Sequence, residues 1–156
     1  MCMTTNEPSV IDEGSFTVRR TIRIEAPIDR VWSAVTDPAH ISRWFGRVVL
    51  EGTSGTISWP DRAPIPLRVE AFEEPTMVSY RWCNDDATGT APATMDEAHS
   101  TVFTFTLEPI TGGTQLTVVE TGFETTSDPL SNLRDHQDGW NGELDKLVAL
   151  LEESAA

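Results

Sequence analysis

The sequence is short of the residues that most site chemistry requires. It has two cysteines, Cys2 and Cys83, and neither belongs to a CxxC pair. That leaves no disulfide framework and no thiolate metal site. The three histidines, His40, His99 and His136, form no HxH, HExxH or Cys/His cluster, so no metal is expected. There is no GxSxG nucleophile turn. The glycines of Gly52-Thr53-Ser54-Gly55 and Gly112-Gly113 lack phosphate-loop spacing and read as hairpin turns, so no cofactor is expected. Basic residues are also scarce: 11 Lys and Arg stand against 25 Asp and Glu, for a net charge of -14. Such a surface repels phosphate backbones and anionic lipid, which argues against nucleic acid and membranes as partners. No run approaches the ~18 apolar residues needed to cross a bilayer. Met1 to Gly14 has no basic region followed by an apolar stretch, so no secretory signal is expected and the cytoplasm is the expected compartment.

What is present is hydrophobic patterning. A length of 156 residues fits one domain, here taken as 15–156. The first fourteen residues are polar, without period, and are expected to be disordered. From Phe16 to Ile24 the even positions are apolar except Arg20, which is a strand with one buried face. Ile28, Val31, Trp32 and Val35 follow at helical spacing, and Asp37-Pro38 opens a second short helix. Strand-like runs then span Val48 to Glu51, Thr56 to Trp59, Ile65 to Glu73, Met77 to Cys83, Thr101 to Glu108 and Thr114 to Phe123. In the third of these the alternation slips at Phe72, as at a bulge or strand end. Asn84 to His99 is polar and acidic, a long loop expected to be disordered. Asp128-Pro129 starts a final helix to about Glu152, whose stripe is Leu133, Gln137, Trp140, Leu144, Leu147 and Leu151. Gly139 and Gly142 weaken its middle by roughly 1 kcal/mol each against Ala, a cost that a close approach there would explain.

The order strand, two short helices, six strands, long helix predicts an α+β fold in which a curved antiparallel sheet wraps the last helix. A sheet wider than one helix leaves room for a cavity. Its expected lining is Trp44, Trp59, Phe72, Tyr80, Trp82, Phe103, Phe105 and Val118, faced by Leu133, Trp140 and Leu144. Glu120 shares the parity of Leu116 and Val118 and points inward, as does Arg20 on the first strand. The two can form a polar pair that orients a ligand, or an ion pair that only completes the sheet. Gln137 can reach the same space from the helix.

The run TIRIEAPIDRVWSAVTDPAHISRWF (Thr21 to Phe45) resembles the opening of the START-like, helix-grip superfamily. More closely it resembles the bacterial branch named after activators of the heat-shock protein ninety ATPase. LTVVETGF (Leu116 to Phe123) and GWNGELDKLVALL (Gly139 to Leu151) are similar to that branch's penultimate segment and closing helix. The resemblance implies a helix-grip fold from about Phe16 to Glu153. It also implies a small hydrophobic or aromatic ligand held between sheet and helix. The superfamily also hosts cyclases and hydrolases, which implies, as an alternative, Glu120 as acid or base. A second alternative is a stress or chaperone-accessory interaction protein, with the chaperone as partner.

Overall fold

The computed structural model describes residues 6–85, 92 and 94–154. The strands are β1 (Val10–Asp12), β2 (Thr17–Ile24), β3 (Arg47–Glu51), β4 (Ser54–Ser58), β5 (Ile65–Glu73), β6 (Met77–Trp82), β7 (Thr101–Ile110) and β8 (Gly113–Thr121). They form one antiparallel sheet in the order β1-β2-β8-β7-β6-β5-β4-β3. The helices are α1 (Ile28–Thr36), α2 (Pro38–Ile41) and the long α3 (Pro129–Ser154). This is the expected α+β helix-grip architecture: the first long strand lies beside the last, and α3 lies across the concave face.

Local chemistry explains the element ends. Asp37 caps α2 by accepting from the Ala39 amide at 3.1 Å, and Pro38 occupies the first turn, where its missing N–H is not needed. On β2 the period-two pattern buries Val18, Arg20, Ile22 and Ile24. On α3 it is Leu133, Trp140, Leu144, Leu147 and Leu151 that are buried. Each such side chain contributes roughly 1.5–3 kcal/mol of apolar transfer, which makes the stripe the main hold of helix on sheet.

The short helices close the core more completely than their length implies. Trp44 donates its indole N–H to the Ala34 carbonyl at 2.8 Å, and the Tyr80 hydroxyl donates to the Val35 carbonyl at 2.6 Å. These bonds tie the last turn of α1 to the turn after α2 and to β6. Trp44 and Phe45 thereby stack into the core, with ring centroids 5.0 Å apart.

Three expectations need correction. The N-terminal segment is not unstructured over residues 6–14: Val10–Asp12 pair with β2, the Ser9 amide donates to Asn141 Oδ1, and the Glu7 carbonyl accepts from Arg20. Backbone pairing holds this segment, which apolar periodicity does not report; residues 1–5 lie outside the described residues. α3 runs unbroken through Gly139 and Gly142, but no close approach explains them, because a Cβ built on either meets nothing within 4 Å. Of the loop expected to be disordered, residues 86–91 and 93 lie outside the described residues, while its ends are held. Cys83 Sγ lies 3.4 Å from Met95 Sδ, Glu97–His99 form a short 3-10 turn, and Asp85 accepts from Ser127 and Asn132.

Candidate functional site

A cleft of about 310 Å³ opens between α3 and the end of the sheet. α3 contributes Asp135, His136, Gly139, Trp140 and Glu143, which lie along one side of the helix at three- to four-residue spacing. Opposite them stand Phe45 after α2, Trp59, Asp61 and Arg62 after β4, and Trp82 and Asn84 at the end of β6. Gly139 keeps the helix wall low. A helix glycine with no packing reason is unfavourable, and here its missing side chain is space in the cleft. The fold gives no comparable reason for Gly142.

Two of the three tryptophan walls are fixed from behind by one buried carboxylate. Glu120 has no exposed surface. Its Oε1 accepts from Trp140 Nε1 at 2.9 Å and from His136 Nδ1 at 2.8 Å. Its Oε2 accepts from Trp82 Nε1 at 2.8 Å and from Thr101 Oγ1 at 2.5 Å. His136 Nε2 lies 3.0 Å from the Asn84 carbonyl, an acceptor without a proton to give. Both ring nitrogens of His136 therefore face acceptors, and the ring serves as the cationic partner of the carboxylate. Burial alone pushes the Glu120 carboxyl up. The charge of His136 and the hydrogen bonds from His136, Thr101 and Trp82 outweigh it and hold the group below the ordinary carboxylate range. With four donors on two oxygens, the carboxylate has no open position at which to take a proton from a ligand. Glu143, at the cleft wall, is shifted the other way: burial raises its carboxyl against the nearby Lys146 ammonium.

A second cleft of about 580 Å³ lies on the other side of Trp59, between the turn after α2 and residues 58–64. Trp59 is the partition. Its indole N–H donates to the Phe45 carbonyl at 2.9 Å, and its ring lies against Gly46, where a Cβ would come within 3.0 Å of it. Only glycine lets the indole seat there. The Arg62 guanidinium lies 5.1 Å from the centre of the Trp59 ring and donates to Asn84 Oδ1 at 2.9 Å.

The residues expected to line a cavity do not come together around one space. Trp59, Trp82 and Trp140 line the first cleft, and Trp44 and Trp59 the second. Tyr80, Phe103, Phe105, Val118, Leu133 and Leu144 are buried in solid core. The space between Tyr80, Phe103, Phe105 and the short helices is about 10 Å³, room for one water at most. The cavity expected there is absent because Trp44 and Phe45 fill it. Phe72 is 60% exposed: after a bulge between Val69 and Ala71 it pairs with Val78 at the far end of β5, beyond the elements that cover that face. Arg20 and Glu120 are not partners. Arg20 pairs across the sheet with Val118, and its guanidinium runs to Asp145 at 2.8 Å and to the Trp140 and Asn141 carbonyls. Gln137 faces the N-terminal segment and donates to the Ser9 carbonyl at 2.9 Å.

Sequence reasoning missed His136, Phe45, Arg62 and Gly139. The signal for His136 was its spacing of three from Leu133 and four from Trp140, which puts it on the buried side of α3. Among the described residues no group of three or more His, Cys, Asp or Glu is placed to hold a metal ion, and no helix is long and apolar enough to cross a membrane.

Residues 25–152 match the family described as Activator of Hsp90 ATPase homolog 1-like protein. Among solved structures, protein MLL2253 from Mesorhizobium loti aligns with a TM-score of 0.73 at 28% identity, over 88% of this chain and 97% of that one. DynU16, a protein in the dynemicin biosynthetic locus, aligns at 0.69 and 27% identity, over 87% of this chain and 47% of that one, so the present chain spans about half of its length. The Aha1 dimer from Colwellia psychrerythraea aligns at 0.68 and 17% identity, over 87% and 96% of the two chains, a likeness of fold alone. Comparison with curated protein sequences finds no match.

Proposed function

The chain belongs to the Activator of Hsp90 ATPase homolog 1-like protein family and has its START-like helix-grip fold, and on that premise we propose that it binds a small aromatic or apolar molecule in the cleft between α3 and the end of the sheet. The observation that carries the reading is the cleft's construction. Three tryptophans and Phe45 wall it, a helix glycine holds it open, and a buried carboxylate fixes two of the tryptophans by their indole N–H groups. Rings held this way lose little freedom when a ligand arrives, which lowers the cost of association. A volume of about 310 Å³ sits at the lower end of the roughly 300–1,000 Å³ of small-molecule sites. The place of DynU16 in a biosynthetic locus supports a small-molecule occupant.

The cyclase or hydrolase alternative, with Glu120 as acid or base, finds no support in the geometry. Both carboxylate oxygens are already taken up by four donors. Native mass spectrometry of the protein from its own cells tests the binding reading. A co-purifying small molecule retained by the wild type and lost in Gly139→Leu is the expected result. Wild-type protein without any adduct, together with no binding of added aromatic probes, contradicts it.

A further inference from the structure

The second cleft has a charge opposite to that of the molecule around it. The chain has 11 basic residues, and four of them, Arg43, Arg47, Arg62 and Lys146, line this cleft. No described Asp or Glu does. At the chain's average composition, twelve lining residues would include about two acids and about one base. The remaining walls include the aromatic residues Trp44, Phe45 and Trp59.

The cations differ in how far they are engaged. Lys146 Nζ lies 2.8 Å from Glu143 Oε2, on the side of the first cleft, and Arg62 lies over Trp59. Arg43 and Arg47 are exposed and enter no ion pair among the described residues. Elsewhere on the chain some arginines sit against carboxylates and others do not. Arg68 and Arg81 pair at 2.5–2.7 Å and the buried Arg20 at 2.8 Å, while Arg19, Arg23 and Arg30 enter no ion pair among the described residues. The net charge does not cancel the local cluster. At physiological ionic strength, charges beyond a Debye length of about 8 Å are largely screened, whereas groups within the cleft are not.

We propose that this second cleft binds a small organic anion, a carboxylate, sulfonate or phosphate carried on an aromatic body. Arg43 and Arg47 take the anionic group by charge-assisted hydrogen bonds, and the half-buried Trp59 takes the ring, backed by the buried Trp44 and Phe45. The inference rests on this cleft's own residues, and the first cleft enters only through the shared walls Phe45, Trp59 and Arg62.

A matched pair of fluorescent probes tests it: anilinonaphthalene sulfonate and its uncharged parent, phenylnaphthylamine. Both are titrated into Gly139→Leu, in which the first cleft is filled. The sulfonate is expected to bind about tenfold more tightly than the parent, with the gap narrowing as salt is added. Arg43→Gln with Arg47→Gln is expected to remove about that tenfold while leaving circular dichroism and the melting temperature unchanged. Lys146→Gln, at the opposite wall, is expected to weaken the sulfonate less, and serves as the second variant should the double substitution disturb the fold. A sulfonate that binds no more tightly than its parent, or that binds the folded double variant unchanged, overturns the inference. Binding of the uncharged parent to wild type but not to Gly139→Leu belongs to the first cleft. That result can stand while this inference fails, and the reverse outcome is equally distinguishable.

Discussion

Trp140 donates its indole N–H to the Glu120 carboxylate at 2.9 Å, joining the middle of the long helix to the last strand inside the core. The bond gives an inward-facing acid on a strand a specific task. It converts the apolar contact of helix and sheet into a fixed register, and it sets the angle of a ring whose other surface lines the first cleft. Trp82 is set by the same carboxylate from the sheet side.

Removing that carboxylate is therefore expected to be costly. Glu120→Gln replaces one acceptor oxygen by a donor that faces N–H or O–H groups, and leaves His136 without its counter-charge. Breaking a buried pair from one side costs roughly 3–5 kcal/mol, and a loss of about 3 kcal/mol in urea unfolding is expected. Intrinsic tryptophan emission should shift at the same time, because two indoles lose their partner. A loss below about 1 kcal/mol would mean that the network is not holding the rings.

The same group sets a pH dependence. Glu120 is held below its ordinary value of 4.5 in the folded protein. A depressed carboxyl contributes stability that is fully present above the unfolded value and is lost as pH falls through the folded one. The unfolding free energy of the wild type should thus decline below about pH 4.5, and the difference between wild type and Glu120→Gln should shrink over that range. A difference that stays constant down to the acid transition would show that Glu120 is not ionised in the fold.

Two glycines should respond with opposite signs. At Gly139 a Cβ meets nothing within 4 Å, so Gly139→Ala should raise stability by about 1 kcal/mol through helix propensity. At Gly46 a Cβ would lie 2.9 Å from Ile57 and 3.0 Å from the Trp59 ring. Gly46→Ala should cost about 1–3 kcal/mol and displace Trp59, the partition of the two clefts. Thermal or chemical melts of the pair check both signs in one experiment.

Phe105→Trp probes the core itself. The space beside Phe105 is only about 10 Å³, so the larger ring has nowhere to go. A destabilisation of about 1–3 kcal/mol is expected, with ligand binding in the first cleft retained in the folded fraction. A neutral outcome would require a void under the short helices.

Much of this was legible in the residues. The parity of Val18, Ile22 and Ile24, and of Leu116, Val118 and Glu120, gave the buried faces of β2 and β8, and the inward direction of Glu120 followed from it. Parity gives direction and not partner. Arg20 and Glu120 both face inward, but the register sets Arg20 opposite Val118 and Glu120 opposite Val18, and the long arginine leaves for α3. His136 and Gln137 are neighbours on the helix, about 100° apart, and only packing decides that His136 enters the core while Gln137 meets the N-terminal segment. The clefts were displaced from their expected place for a similar reason. Trp44 and Phe45 are one dipeptide in the sequence, and only the turn after α2 shows that the two rings stack and seal the centre. What remains open is the rim, where Gly139, Arg62 and residues 58–64 carry no periodic signal.

The decisive measurement for the first cleft is a titration of wild type and Gly139→Leu with phenylnaphthylamine, followed through tryptophan emission. Saturable binding of one probe per chain to the wild type at micromolar concentration is expected, with quenching or enhancement of tryptophan emission. In Gly139→Leu that micromolar binding should be lost, leaving at most the weaker binding of the second cleft, while the variant melts at or above the wild-type temperature. No binding to the wild type, or equal binding to both proteins, would contradict a ligand site in the first cleft.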